Sequence, residues 1–171
     1  MLAIVLTLAA LLVAGLLAVA AVTVLGVRNK WGFVLRLLFG LQRSLMNPSN
    51  MKTAGRKGAT YSVVRHRGRT SGREYETPVG VVETDEGFLI ALPYGQQSNW
   101  VRNVLAQGSA EIVHQGRTRS ADRPEIVAMR DVVDLFPASD RGAFRVFGVR
   151  SCLRLREAGS IAGASAARSL R

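Results

Sequence analysis

Apolar positions run without interruption from Leu2 to Val27, with no charge and no proline among them. About 20 such residues cross the hydrocarbon layer of a bilayer as one helix, so residues 1–27 are expected to form a transmembrane helix. A cleaved signal peptide would begin with basic residues and carry a shorter apolar core, and this stretch does neither. Trp31 to Leu45 stays mostly apolar but places Arg36 and Arg43 two turns apart on one face. That pattern fits an interfacial helix lying along a membrane, or a helix packed on a folded domain. Asn47-Pro48-Ser49-Asn50 ends it, and a basic linker from Lys52 to Gly58 follows. The period then falls to two. Thr60 to His66, Tyr75 to Thr84 and Phe88 to Leu92 read as strands, the last two joined by Asp85-Glu86-Gly87. Ser98 is placed to N-cap a helix over Asn99 to Gln107, with Gly108 closing it. Glu111 to His114 and Arg117 to Pro124 form a hairpin about Gln115-Gly116, and Glu125 to Val133 runs from strand into helix. Pro137 interrupts, Asp140 to Phe147 makes a short helix, and Cys152 to Arg156 is a last strand. The small, polar tail over 158–171 is expected to be disordered.

Short antiparallel strands with hairpin turns and a few short helices predict an α+β chain. Its expected form is a small β-barrel with helices over the openings. No glycine fingerprint opens a helix after a parallel strand, which argues against a doubly wound nucleotide fold. The expected organisation is a transmembrane helix over 1–27, a basic juxtamembrane helix and linker over 28–58, a barrel domain over 59–157, and the tail.

The formal charge of +11 is one block. Arg28 to Arg73 holds eleven cations and no acid, whereas from Glu74 onward there are twelve of each sign. Cations directly after the apolar helix place the amino terminus outside and the remainder in the cytoplasm. A basic block suits a membrane surface, a polyanionic ligand or nucleic acid. Nucleic acid ranks last, because Tyr61 alone interleaves an aromatic between Gly40 and Gly72. The single cysteine, Cys152, excludes an internal disulfide and reads as a buried strand residue.

The candidate chemistry centres on His66 to Val79. Two glycines, Arg67, Arg69 and Arg73, and the hydroxyls of Thr70 and Ser71 are gathered into one turn. Arginine forks and exposed turn amides suit phosphate or carboxylate. Glu74 and Glu76 share a strand face and are expected to pair with these arginines rather than to act as an acid–base couple. His66 and His114 lack the spaced partners of a metal site, so no metal is expected, and no serine sits in a nucleophile elbow. The residues offer anion binding without a self-contained catalytic group, so an enzyme built on them would depend on a cofactor.

Gly68-Arg69-Thr70-Ser71-Gly72 with Thr77-Pro78-Val79, followed by Leu92-Pro93-Tyr94-Gly95 and the Ser98 to Gly108 helix with its Asn-Trp-Val-x-Asn-Val-x-Ala run, resembles the deazaflavin (coenzyme F420)-dependent nitroreductase and quinone reductase family. The resemblance covers about Ser62 to Val127. It implies an antiparallel split β-barrel of the flavin-binding type and, as cofactor, coenzyme F420, an 8-hydroxy-5-deazaflavin with a phosphate and an oligoglutamate tail. FMN is the alternative. Carried over onto this chain, Arg69, Thr70, Ser71, Tyr75, Thr77, Pro78 and Val79 bind the phosphate and flank the ring. Pro93, Gly95, Asn99, Trp100 and Asn103 close over the rest. Two cations common in relatives are replaced here, by Thr70 and Tyr75, with Arg67 and Arg73 placed to compensate. Carboxyl-terminal tyrosines of relatives that touch substrate give way to Phe136, Phe144 and Phe147.

The function implied is a membrane-anchored, single-pass, cytoplasm-facing oxidoreductase. It would pass a hydride from reduced F420 to a quinone, nitro compound or similar electrophile, with Tyr94 as the hydrogen-bond donor in catalysis. Membrane lipid and a membrane quinone are the expected partners, nucleic acid is not, and a homodimer is left open. The rival classes are a non-catalytic flavin, deazaflavin or haem carrier on the same barrel, and an FMN-dependent reductase.

Overall fold

The computed structural model describes residues 1–41 and 50–158. Helix α1 (Leu2–Arg28) is continuous and about 40 Å long at 1.5 Å per residue. Its apolar side chains stay exposed along most of its length. Thr7 and Thr23 donate to the carbonyls of Ala3 and Val19, both at 2.8 Å, so these hydroxyls need no water. Among the described residues it is the one helix long and apolar enough to cross a membrane, by length and composition.

A tight corner ends α1. The Trp31 N–H donates to Gly26 O at 2.8 Å and the Lys30 N–H to Val27 O at 3.3 Å. These are the two closing bonds of a Schellman turn. Lys30 holds the left-handed position at φ 57°, which glycine usually takes, at a cost of about 1–2 kcal/mol for a side-chain-bearing residue. The chain returns as α2 (Gly32–Leu41). A Cβ on Gly26 would overlap the Val34 side chain, so the missing side chain is what lets α1 and α2 touch. Val34 is buried there, while Trp31, Phe33, Leu37 and Leu41 are exposed. The remainder of the expected Trp31–Leu45 helix, the expected break at 47–49 and the tail over 159–171 fall outside the described residues.

Seven strands follow: β1 (Ser62–Arg67), β2 (Glu74–Val79), β3 (Val82–Thr84), β4 (Gly87–Ala91), β5 (Ser109–His114), β6 (Arg117–Ala128) and β7 (Ser151–Glu157). They form one antiparallel sheet in the order β2-β1-β5-β6-β7-β4-β3. The first and last positions are held by β2 and β3, which are separated by Gly80 and Val81 alone. Three Cα steps reach at most roughly 11 Å, so the sheet must curl until its edges approach. The expected single strand Tyr75–Thr84 is therefore two strands on opposite edges, broken at Gly80. Curling of one antiparallel sheet about a helix-capped interior makes this an α+β split β-barrel.

The sheet is covered on both faces, which explains the near-continuous apolar run Phe88 to Leu92. Phe88, Ile90 and Leu92 point to the barrel interior with Val64, Ile112, Leu153 and Leu155. Leu89 and Cys152 point the other way, onto Met129, Val132, Phe136 and Val149. Alternation along each strand divides the two cores. The outer core is closed by α4 (Met129–Val132), a 3-10 turn over Val133–Leu135, and α5 (Ala138–Val146). Phe136 meets Phe144 edge to face at 5.1 Å, and Phe147 packs beside them. These phenylalanines are core residues of the outer layer. Burial pushes the Cys152 thiol up to about 11, in keeping with an inert, buried residue. Gln115 and Gly116, at φ 50° and 78°, make the two-residue hairpin turn expected between β5 and β6.

Candidate anion-binding site

Helix α3 (Asn99–Gln107) lies against β1 and β5, with Gly108 closing it at φ 75°. The 68–73 turn between β1 and β2 comes to meet it. In that turn the Gly68 N–H donates to Arg73 O and the Gly72 N–H to Gly68 O, both at 2.8 Å. A Cβ on Gly68 would meet Ser71 Oγ and the Tyr75 ring, so glycine lets these two side chains fold over the turn.

Asn103 joins turn and helix. It is 6 % exposed, and its Oδ1 accepts from the Arg69 backbone N–H at 3.2 Å and from Arg69 Nη1 at 2.8 Å. Both bonds require the oxygen, so the amide nitrogen faces His66 and donates to its Nδ1 at 3.2 Å. His66 Nδ1 is then an acceptor, Nε2 carries the proton, and that N–H donates to Thr77 Oγ1 at 3.2 Å. Burial, opposed by a backbone hydrogen bond at Arg67, lowers the His66 pKa below the usual imidazole range, consistent with this neutral tautomer. One turn back on α3, Asn99 Oδ1 accepts from Arg69 Nη1 and Nη2, both at 3.4 Å. The Gln107 side chain accepts from the Arg67 N–H at 2.9 Å.

The charges divide sharply. Arg67 pairs with Glu74 at 3.2 Å, as expected, whereas Glu76 takes Arg65 at 2.8 Å, an arginine outside the expected three. The Arg67–Glu74 pair is exposed, so Arg67 shares its charge with a solvated carboxylate. Arg69 is held only by uncharged amide oxygens, and Arg73 and Thr70 are exposed with no side-chain partner among the described residues. The turn thus presents two uncompensated guanidinium groups, one of them pre-oriented, beside the hydroxyls of Thr70 and Ser71. Ser71 Oγ lies 3.2 Å from Tyr75 Oη, and the Tyr75 ring stacks on His66 at 5.8 Å. This donor set is the kind that holds phosphate or carboxylate, and it fits the phosphate and glutamate groups of a deazaflavin cofactor.

The remaining expected residues divide between surface and core. Pro78 and Val79 are buried, Val79 within the barrel core, and Trp100 packs against the same core. Pro93, Tyr94 and Gly95 form the half-buried loop from β4 towards α3, turned by a Gly95 N–H to Leu92 O bond of 2.9 Å. Burial, with Tyr61 nearby, raises the Tyr94 phenol above its ordinary value, so it stays protonated as a donor. Ser98 stands at the N-cap position, but its hydroxyl donates to Gly95 O at 3.3 Å instead of capping α3. It closes the loop, where a cap was expected. The roles of Asn103 and His66 as one hydrogen-bonded unit escaped the sequence, although the spacing of Asn99 and Asn103 at i, i+4 was a usable signal.

A second polar series is structural. Ser62 Oγ lies 2.6 Å from His114 Nδ1, and His114 Nε2 lies 3.8 Å from Glu83. Ser62 is 3 % exposed inside β1, so no substrate reaches its hydroxyl. Among the described residues no group of three His, Cys, Asp or Glu could hold a metal.

Barrel and turn together define a flavin-type split barrel with an anion-binding lip. The family model for F420H(2)-dependent quinone reductase matches residues 44–131. The chain belongs to that family, and membership makes it an F420-dependent reductase. No curated protein matches the chain. Among solved structures it is similar to HutZ, the heme storage protein from Vibrio cholerae, at 13 % identity and TM-score 0.43, covering 64 % of this chain and 88 % of that one. It is also similar to a structure described as an F420 reductase, at 14 % identity and TM-score 0.40, covering 62 % and 90 %. At this level the likenesses do not bear on function.

Proposed function

We propose that this chain is a single-pass membrane protein whose cytoplasmic barrel transfers a hydride from reduced F420 to a quinone or a similar electrophile such as a nitro compound. The observation that carries it is Arg69, fixed by two neutral amide oxygens, Asn99 Oδ1 and Asn103 Oδ1, with its charge left over. Arg69, Arg73, Thr70 and Ser71 hold the phosphate. Tyr75, Thr77, Pro78 and Val79 bound the ring on the β2 side, and Pro93, Gly95, Asn99, Trp100 and Asn103 bound it on the loop and helix side. When bound, the reduced cofactor supplies the hydride. Tyr94, kept protonated by burial, donates a hydrogen bond to the acceptor oxygen as negative charge develops there. The half-buried loop and the barrel wall exclude water and keep the acceptor in register.

The test is titration of oxidised F420 into the detergent-solubilised full chain. Arg69→Ala should weaken binding by roughly 1.5–3 kcal/mol, about ten- to a hundredfold. Arg69→Lys should recover part, since a fork becomes a point charge. Unchanged affinity in both variants removes the turn from the site. Reduced F420 mixed with a short-chain menaquinone analogue should be oxidised catalytically, and Tyr94→Phe should slow that turnover. Tight binding with no turnover on quinones, nitro compounds or enones identifies a carrier.

Membrane topology follows from α1 and the cations after it. A reporter fused behind Arg171 should be active in the cytoplasm and silent in a periplasmic format. The reverse result would invert the orientation.

A further inference from the structure

Left-handed Lys30 is unusual because glycine would close the same Schellman turn without strain. Its side chain supplies the reason for a lysine. Lys30 Nζ donates to the carbonyl of Pro93 at 2.6 Å, across 63 positions of chain. The same corner is fastened on a second side, where Arg28 Nη1 donates to Arg145 O at 3.1 Å near the carboxyl end of α5. Arg145 O also accepts from the Gly148 N–H at 3.3 Å, and the negative end of the helix favours a cation there. Arg28 also packs its stem against Gly148, whose φ of +61° and missing side chain leave room for it. Val27 is buried in the junction. The foot of the apolar helix therefore meets the loop that carries Tyr94 and leads into the helix gripping Arg69.

We infer that Lys30 is a positioning residue: by holding the Pro93 carbonyl it fixes the 93–98 loop against the foot of α1 and sets the place where the electron acceptor is received. The contact stands on the geometry alone, while its positioning role rests on the reductase reading. Burial, and then repulsion from Arg150, lowers the Lys30 pKa. An uncharged amine also donates, so the bond survives in either form. Arg69 is tied to Asn99 and Asn103 independently of this contact, so loosening the loop, which meets the cofactor only through Pro93 and Gly95, should disturb the acceptor more than the cofactor.

The experiment uses the full chain in lipid nanodiscs with Lys30→Gly and Lys30→Arg. Glycine keeps the left-handed corner and removes the donor, while arginine restores a donor. In Lys30→Gly the amides of residues 94–98 should exchange with deuterium about tenfold faster or more, with residues 109–128 unchanged. The KM for a short-chain menaquinone analogue should rise about three- to tenfold, by a larger factor than the F420 Kd, and Lys30→Arg should recover part of both effects. Unchanged exchange at 94–98 overturns the contact. Faster exchange with an unchanged KM overturns the positioning role. An unsubstituted chain that binds no F420 overturns the reductase reading, and the positioning role with it, while exchange still decides the contact.

Discussion

Asn103→Leu should lower stability by about 1–3 kcal/mol, since buried His66 Nδ1 loses its partner, with a smaller loss at the part-buried Arg69 N–H. For a domain of this size the melting point should fall by on the order of 10 °C. F420 affinity should fall with it, because the Arg69 fork loses its 2.8 Å anchor. Asn103→Asp is the more telling variant. Its carboxylate still accepts from Arg69 but cannot donate to His66 Nδ1, so the imidazole must carry a proton on Nδ1, and the new negative charge beside it favours the protonated ring. In the unsubstituted chain the folded His66 pKa lies below the unfolded value of about 6.5. The unfolded state then binds the extra proton first, and stability falls as pH drops from about 6.5 towards the folded value. In Asn103→Asp the folded pKa is raised, so the His66 contribution is present at low pH and lost as pH rises. Thermal melts between about pH 7.5 and 5.5 should slope in opposite directions for the two proteins. Parallel slopes would show that Asn103 does not set the His66 tautomer.

Gly87→Val should prevent the barrel from forming. Gly87 has φ 143° and opens β4 against Arg156 of β7. A Cβ there would collide with the Leu155 carbonyl and come within 2.8 Å of Arg156 Cα and Glu157 N. Those are backbone atoms of a central strand and have no free rotamer through which to yield. The expected cost is roughly 4 kcal/mol or more, at the upper end for one substitution. Gly72→Ala, left-handed but facing open space, should cost about 1 kcal/mol. Chemical denaturation of both variants separates collision from backbone preference. Equal losses would mean the β4–β7 approach is looser than it looks.

Local chemistry made much of this legible. Helix α3 begins and ends where Ser98 and Gly108 indicated, the Gln115-Gly116 hairpin lies where its residues place it, and Arg67 pairs with Glu74 as their charges suggested. What stayed hidden depends on distant partners. Nothing near Gly80 shows that Tyr75 and Thr84 belong to opposite edges of a sheet, because the curl is set by the pairing of all seven strands. The Ser98 hydroxyl could accept from an amide of α3 or donate to Gly95 O, and only the loop decides between them. Arg69 and Arg67 look alike in sequence, but one meets asparagines from α3 and the other a glutamate from β2. Lys30 and Pro93 carry no mark of each other.

The position of β7 has a consequence for synthesis. It is the last strand made, yet it sits between β6 and β4 and joins the two halves of the sheet. Until Glu157 has cleared the ribosome, β3 and β4 have no neighbour linking them to the rest. Closure must then happen through pairings of long sequence separation that form slowly. During that interval the apolar run from Phe88 to Leu92 is open on both faces, which makes the unfinished sheet, rather than the finished protein, the species most in need of a chaperone.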